Sequence, residues 1–289
     1  MKEQVQKTAI VTGANTGLGY ETALELYRQG MHVIVASRNP EKGREACERM
    51  QAAAPSSVGK TEFVQLNLSS LEAVKSFADW AKNRLERLDL LINNAGIMTP
   101  PPTTTDDGYE AQFGVNFVAH FALTGCLFAL LEKTPGARVV SLSSRAHRGS
   151  VIDLANCALE KPYDPGREYA QSKLANLIFA LEFDRRLRVS GHQLRSLAAH
   201  PGVSQTDLFR HIGPTPDGIK FMSAAEGAAP TVMAATLGTA QGGQYFGPEG
   251  PGEANGKPAL AKISASALDA TVNRNLWQWA QKATGVYYP

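Results

Sequence analysis

Tyr169 and Lys173 stand four positions apart, a spacing that puts both side chains on one face of a helix. A phenol with a pKa of roughly 10 exchanges protons poorly at neutral pH, and an ammonium within ~4–6 Å favours its ionised form, so the pair could make Tyr169 a working acid or base. Tyr-x-x-x-Lys alone is common enough to arise by chance. Ser144 follows an apolar run at 138–142 and could hydrogen-bond a substrate oxygen at the carboxyl edge of a sheet. Nearer the N-terminus, Thr12-Gly-Ala-Asn-Thr-Gly-Leu-Gly19 brings Gly13, Asn15, Thr16, Gly17, Leu18 and Gly19 to a turn where backbone could approach a pyrophosphate and a helix N-terminus could offer it N–H donors. The spacing is G-x-x-x-G-x-G rather than G-x-G-x-x-G, so its weight comes from the strand–turn–helix setting; the plain alternative is a tight turn without a ligand. Beyond Gly19, where an acidic residue would bond the ribose 2′-hydroxyl of NAD, stand Ser37, Arg38 and Asn39. Arg38 could pair with a 2′-phosphate and stack on adenine, which favours NADP(H) and leaves NAD(H) open. Lys42 and Arg44 read as solvated charges of an exposed first turn.

These residues need a frame. Apolar strand-like runs fall at 7–12, 32–36, 61–67, 90–93, 138–142, 193–199 and 244–246, and helix-length segments fall between them, at 20–29, 40–54, 69–87, from Asp106 and Asp107 through 131, 169–188 and 224–237. Strands apolar on both faces and separated by helices predict an α/β fold, an open parallel sheet covered on both sides. Pro/Gly-rich stretches at 100–105, 213–218 and 247–256 read as loops, and one domain is the better reading.

Composition narrows the class. Of 289 residues 43% are hydrophobic and 19% charged, and Lys plus Arg number 29 against 27 Asp plus Glu. A net charge of +2 lacks the basic excess of a nucleic-acid binder, so no nucleic-acid partner is expected. The 3 Cys show no C-x-x-C spacing, which suggests neither a disulfide framework nor a zinc knuckle and fits a reducing cytoplasm. No metal is expected, since no histidine pairs with Cys or carboxylates at ligand spacing. Residues 111–131 are uncharged and long enough to cross a bilayer, but Gln112, Asn116, His120 and Thr124 favour a buried helix. No secretory leader or membrane anchor is read from the N-terminal residues.

Four motifs occur in order: T-G-A-N-T-G-L-G at 12–19, N-N-A-G at 93–96, V-V-S-L-S-S at 139–144 and Y-A-Q-S-K at 169–173, with Pro201-Gly202 after the sixth strand-like run. The set resembles the short-chain dehydrogenase/reductase family over 7 to about 247. Further segments, A-S-R-N-P-E-K-G at 36–43, S-S-R-A-H at 143–147, S-K-L-A-N at 172–176 and H-P-G-V at 200–203, resemble its retinol dehydrogenase and protochlorophyllide reductase-like branch. The animal members' N-terminal anchor has no counterpart here, which suggests a soluble bacterial type.

The resemblance implies a single Rossmann-type, doubly wound parallel sheet of about seven strands over 1–289, with a substrate loop at about 203–223 and a C-terminal extension at about 248–289. It implies that Tyr169 is the acid or base, that Ser144 rather than Ser143 polarises the reacting oxygen, that Lys173 holds the nicotinamide ribose and lowers the Tyr169 pKa, and that Asn116 supports a proton relay. Asn67, where the family more often has Asp, would contact adenine with Leu68 beside it; Asn93, Ala95 and Gly96 would line the cofactor, and Pro201, Gly202, Val203 and Thr206 would close over it. The implied activity is NADP(H)-dependent interconversion of a carbonyl and an alcohol on a lipophilic small molecule. A non-catalytic NADP(H)-binding sensor or scaffold would keep the glycine turn without needing the tyrosine–lysine pair, and a methyltransferase would explain neither that pair nor Ser144. His120 reads as a core histidine, His147 as a solvated loop residue, and Trp277 and Trp279 as packing or subunit contacts. The outer face of 111–131 is expected to pair with a second subunit in a homodimer or homotetramer. Phe209, Ile212, Ile219, Phe221 and Met222 suggest an apolar lid.

Overall fold

The computed structural model describes residues 5–205 and 221–289. β1 (Thr8–Thr12) is buried along its whole length, and consecutive residues serve opposite faces of the sheet. Ile10 joins a core with Phe77, Phe121 and Leu177, whereas Ala9 and Val11 join a second core with Leu26, Met50 and Ala234. A strand apolar on both sides must be covered on both sides, which the helices do.

In chain order follow α1 (Gly17–Arg28), β2 (His32–Ser37), α2 (Pro40–Ala53), β3 (Lys60–Gln65), α3 (Leu71–Arg84) and β4 (Leu90–Asn93). Asn39 starts α2 by accepting the Lys42 N–H, with Pro40 at the first helical position, and Ser70 caps α3. The helix expected through 131 is instead broken. It starts at Glu110, whose carboxylate accepts the Gln112 and Phe113 N–H groups, and runs as α4 (Ala111–Phe113), a π-helical turn (Gly114–Val118), α5 (Ala119–Cys126) and α6 (Phe128–Glu132). The wide turn occurs at Gly114, where a Cβ would meet the Thr105 side chain at 2.4 Å, so glycine is needed for the approach.

β5 (Arg138–Leu142) leads to α7 (Pro165–Val189), which begins before the expected residue 169 because Asp164 caps Gly166 and Arg167 and Pro165 follows it. Tyr169 therefore lies inside the helix rather than at its start. β6 (Arg195–Ala199), α8 (Ala224–Thr236), β7 (Tyr245–Pro248), β8 (Pro258–Leu260) and α9 (Ala270–Thr284) complete the chain. The sheet order is β3-β2-β1-β4-β5-β6-β7-β8. All neighbours are parallel except β7 and β8, so the sheet has eight strands rather than about seven. The eighth is three residues long beside a Gly/Pro-rich stretch, too short to show a period. Strand order reverses at β1, whose neighbours β2 and β4 part to open a crevice at the carboxyl edge.

The face of α5 expected to meet another subunit is covered by the same chain. Tyr288 and Trp277 pack on Phe121 with ring centroids 4.9 and 5.1 Å apart, and the Tyr288 hydroxyl donates to the Phe121 carbonyl at 3.1 Å. Trp279 packs on Phe113, so both C-terminal tryptophans serve the internal core. A Cβ on Gly125 would lie 2.5–2.6 Å from Val286 and Tyr288, which shows how closely this tail seats. No helix among the described residues is long and apolar enough to cross a membrane.

Tyr288→Ala is expected to lower the unfolding free energy by about 3–5 kcal/mol, as for other buried aromatic truncations, read as a lower urea midpoint. A midpoint within error of the parent would show that the tail does not hold the α5 face.

Candidate active site

The glycine turn is built on the last residue of β1. Thr12 Oγ1 accepts the N–H groups of Asn94 and Ala95, each at 2.9 Å, and lies 2.9 Å from His120 Nε2. His120 Nδ1 is 2.8 Å from the Asn116 carbonyl, which can only accept, so Nδ1 carries the proton. Burial holds this imidazole down to about 4, so it is neutral and Nε2 accepts from the Thr12 hydroxyl. One hydroxyl thus joins the turn after β1, the turn after β4 and the helix of Asn116. Gly13 has φ +67 and a Cβ there would sit 3.0 Å from Ala95, while a Cβ on Gly19 would lie 2.4 Å from Asn94 Nδ2 and from the Gly13 carbonyl. Side chains are excluded at both positions, and the backbone stays open to the crevice.

On the other wall, Tyr169 and Lys173 sit on α7, both almost fully buried. The Lys173 ammonium lies 5.7 Å from the Tyr169 ring centroid and donates to the Leu142 carbonyl at 3.3 Å. Gly96 lies across from it, since a Cβ there would be 3.2 Å from Lys173 Nζ and from Asn116 Oδ1. The two serines after β5 divide their work. Ser143 Oγ donates to the Lys173 carbonyl at 2.7 Å, so it holds the helix, while Ser144 Oγ accepts the Ala146 N–H at 3.2 Å and interacts with the Tyr169 phenol. Since that interaction lowers the phenol pKa, the Ser144 hydroxyl donates its proton to the Tyr169 oxygen in a hydrogen bond.

Lys173 does not bring the phenol down as expected. Burial pushes Tyr169 up to about 12, against a smaller lowering by the Ser144 hydrogen bond, and holds Lys173 down to about 8. Desolvation dominates at both groups in this buried corner, so Tyr169 is a phenol at neutral pH and a proton donor. Asn116 is fully engaged: its side-chain amide donates to Ile97 O and Ser172 Oγ, each at 3.0 Å, and accepts the Ile97 N–H at 2.8 Å.

A cavity of about 440 Å³ runs along the crevice. Its walls include Gly13, Asn15, Thr16, Gly17, Leu18 and Gly19, then Ser37, Arg38, Asn67 and Leu68 at one end, and Ala95, Gly96, Tyr169, Lys173 and Pro201 at the other. Lys42, expected to be only a solvated charge, lines it too. Ser37 Oγ is buried there without a hydrogen-bond partner, and Arg38 has no ion pair among the described residues. A glycine floor, an unpaired hydroxyl and two cations at one end fit a dinucleotide with a phosphate on its adenosine half.

Not every expected residue faces the cavity: of the two serines after β5, Ser143 and not Ser144 is in its wall. Asn93 is buried with its amide donating to Thr124 Oγ1 at 3.1 Å, and Asn94 lines the wall in its place, tied to the Thr12 carbonyl at 2.7 Å. Ile97 and Val115, which the motifs did not mark, add apolar wall, as does Leu142 of the β5 motif. Gly202 and Val203 lie behind Pro201, with the Val203 N–H on the Ala254 carbonyl. Thr206 lies outside the described residues, as do Phe209, Ile212 and Ile219 of the expected lid. His147 is not solvated; it is fully buried, with Nδ1 on the Ser144 carbonyl. Among the described residues no cluster of His, Cys, Asp and Glu could hold a metal.

Residues 7–217 match the family model described as short chain dehydrogenase. The chain belongs to that family. Retinol dehydrogenase 13 from Homo sapiens is 45% identical over 213 residues, 72% of this chain and 62% of that protein, and the Mus musculus protein is 43% identical over 208 residues, 72% and 61%. The chain thus matches less than two thirds of the length of these two relatives. Polyprenol dehydrogenase from Mus musculus is 37% identical over 295 residues, covering 98% of this chain and 85% of that protein. Among solved structures, an uncharacterized protein from Mycobacterium paratuberculosis superposes with a TM-score of 0.83 at 38% identity, over 98% of this chain and 95% of that one. A Burkholderia cenocepacia short chain dehydrogenase in complex with NADP shares the fold, with a TM-score of 0.67 at 24% identity over 84% of this chain and 96% of that one. Within this short chain dehydrogenase fold, the retinol dehydrogenase-like relatives agree with the branch suggested by the serine, lysine and proline motifs.

Thr12→Val keeps the shape but strands two N–H donors and His120, and is expected to cost about 2–4 kcal/mol, while Thr12→Ser keeps most of the stability. Equal urea midpoints for the two variants would refute the hydroxyl's role.

Proposed function

We propose that the chain is an NADP(H)-dependent oxidoreductase that interconverts a carbonyl and an alcohol by hydride transfer on a lipophilic aldehyde, ketone or alcohol. The observation that carries this reading is that Tyr169 and Lys173 line one end of a glycine-floored cavity, with Ser144 hydrogen-bonded to the Tyr169 phenol. A nicotinamide dinucleotide bound there would supply or accept the hydride. Glycines 13, 17 and 19 would take its pyrophosphate, Ser37, Arg38 and Lys42 its adenosine phosphate, and Lys173 its nicotinamide ribose. In the direction of reduction Ser144 would donate a hydrogen bond to the carbonyl oxygen and hold it in front of Tyr169, whose phenol, kept protonated by burial, would give that oxygen its proton. The Lys173 ammonium would favour the phenolate left behind. Ile97, Val115 and Leu142 favour an apolar substrate body, and the relatives named for retinol and polyprenol support that class. We place the reaction in the cytoplasm.

Tyr169→Phe removes one hydroxyl and is expected to lower kcat for reduction of lipophilic aldehydes by about 10²–10⁴-fold. Calorimetric titration of both proteins should show NADPH bound more tightly than NADH and unaffected by the substitution. Near-normal turnover by Tyr169→Phe would remove the assignment.

The alkaline limb of the reduction rate should belong to Lys173. Its folded pKa of about 8 means that the ammonium is lost as pH rises through that value, well before the phenol ionises at about 12. In Lys173→Arg, whose charge persists, the limb near pH 8 should vanish from the pH–kcat profile whatever the absolute rate. A limb left in place would assign it elsewhere.

A further inference from the structure

We propose that Glu253, in the C-terminal extension, is a positioning residue that ties together the two segments framing the reaction centre, the turn after β5 that carries Ser144 and the bend at Pro201–Gly202 after β6. The inference rests on the function proposed above.

The Glu253 carboxylate meets three elements. Oε2 accepts from Arg148, in the turn after β5, and lies 2.9 Å from His200 Nε2 at the end of β6; Oε1 accepts the Lys262 N–H at 2.9 Å. His200 is fully buried, and its Nδ1 accepts the Gly202 N–H at 3.2 Å. An imidazole that accepts at Nδ1 must carry its proton on Nε2, so it donates to Glu253, and the carboxylate fixes the tautomer that the Gly202 bend needs. On the other side, Arg148 also donates to the Gly252 carbonyl at 3.1 Å, and the adjacent His147 holds the Ser144 carbonyl.

The backbone around the carboxylate is shaped for this contact. Glu253 has φ +56, a left-handed conformation uncommon for a side chain with a Cβ, and Gly252 before it has φ +57. The next residue, Ala254, accepts the Val203 N–H at 2.7 Å, and a Cβ on Gly202 would lie 2.5 Å from the Ala254 carbonyl. A Cβ on Gly247 of β7 would sit 2.0 Å from His200 Nε2, so glycine there leaves room for the ring. Three consecutive residues, 252–254, thus grip both strand-end segments, although none of the three lines the cavity.

The test uses the full chain with NADPH and the lipophilic aldehydes retinaldehyde and decanal as probes, comparing Glu253→Gln with Tyr169→Phe and the parent. Gln keeps the size but has one acceptor oxygen for three donors and no charge for Arg148. Glu253→Gln is expected to lower kcat about tenfold or more, because small displacements of positioned groups are costly, while KM and the NADPH dissociation constant stay within about threefold. Should that variant fail to fold, Arg148→Gln removes the same tie from a side chain 35% exposed and is expected to show the same split. A kcat within about twofold of the parent, or a loss of NADPH affinity as large as the loss of kcat, overturns the positioning role. If Glu253→Gln stays fast while Tyr169→Phe is inactive, only the Glu253 assignment falls; if Tyr169→Phe stays fast, the proposed function falls and takes this inference with it.

Discussion

The Thr12 hydroxyl is the joint on which the site depends. It stands where strand order reverses, so the chain segments that leave β1 and β4 must pass close to one another with their backbone donors unpaired by any ladder. Thr12 satisfies two of those donors and donates its own hydroxyl hydrogen bond to His120, whose other nitrogen donates to the Asn116 carbonyl. The glycines can then bring bare backbone to the crevice, because the peptide groups behind them are already satisfied. The hydrogen-bonded frame lies under the floor, and the floor itself is left to a ligand.

The same dryness sets the acid–base chemistry. A tyrosine and a lysine placed in water would stay near their ordinary values, because water screens their mutual attraction. Buried together, each is driven toward its neutral form, the tyrosine up and the lysine down. The resulting resting state has a proton on the phenol, which suits donation to a carbonyl oxygen. The opposite direction requires the phenolate, and in this corner the stabilising partners within reach are the Lys173 ammonium and the Ser144 hydroxyl.

Much of this could be read from the residues, and the failures have physical causes. The alternation of Ala9, Ile10 and Val11 marks a strand with two buried faces, and the parallel sheet follows from its repetition. The choice between Asn93 and Asn94 turns on where a strand stops, because one residue of register reverses the face, and a sequence does not locate that end so finely. Lys42 lines the cavity from the first turn of α2, where Asn39 caps the helix, a local geometry invisible in the type of residue. His147 and Glu253 were beyond reach for another reason: the Tyr245 ring that covers His147 and the Arg148 and His200 side chains that meet Glu253 are far along the chain, and a Gly/Pro-rich stretch carries no period to announce a buried carboxylate contact. The wide turn around Asn116 begins at Gly114, which lies close against Thr105, again a tertiary contact.

The tail that closes over α5 also has a consequence for the order of assembly. Phe121 and Tyr288 are 167 positions apart, yet the ring and hydroxyl of the second complete the burial of the first. During synthesis the sheet from β1 to β6 can emerge with its helices while the outer side of Phe121, Phe179 and Phe183 still faces water. That aromatic surface stays uncovered until the residues of α9 and the turn beyond it have left the ribosome, so its closure is a late step of biogenesis and the nascent chain carries a sticky face from the synthesis of α7 to the end of α9.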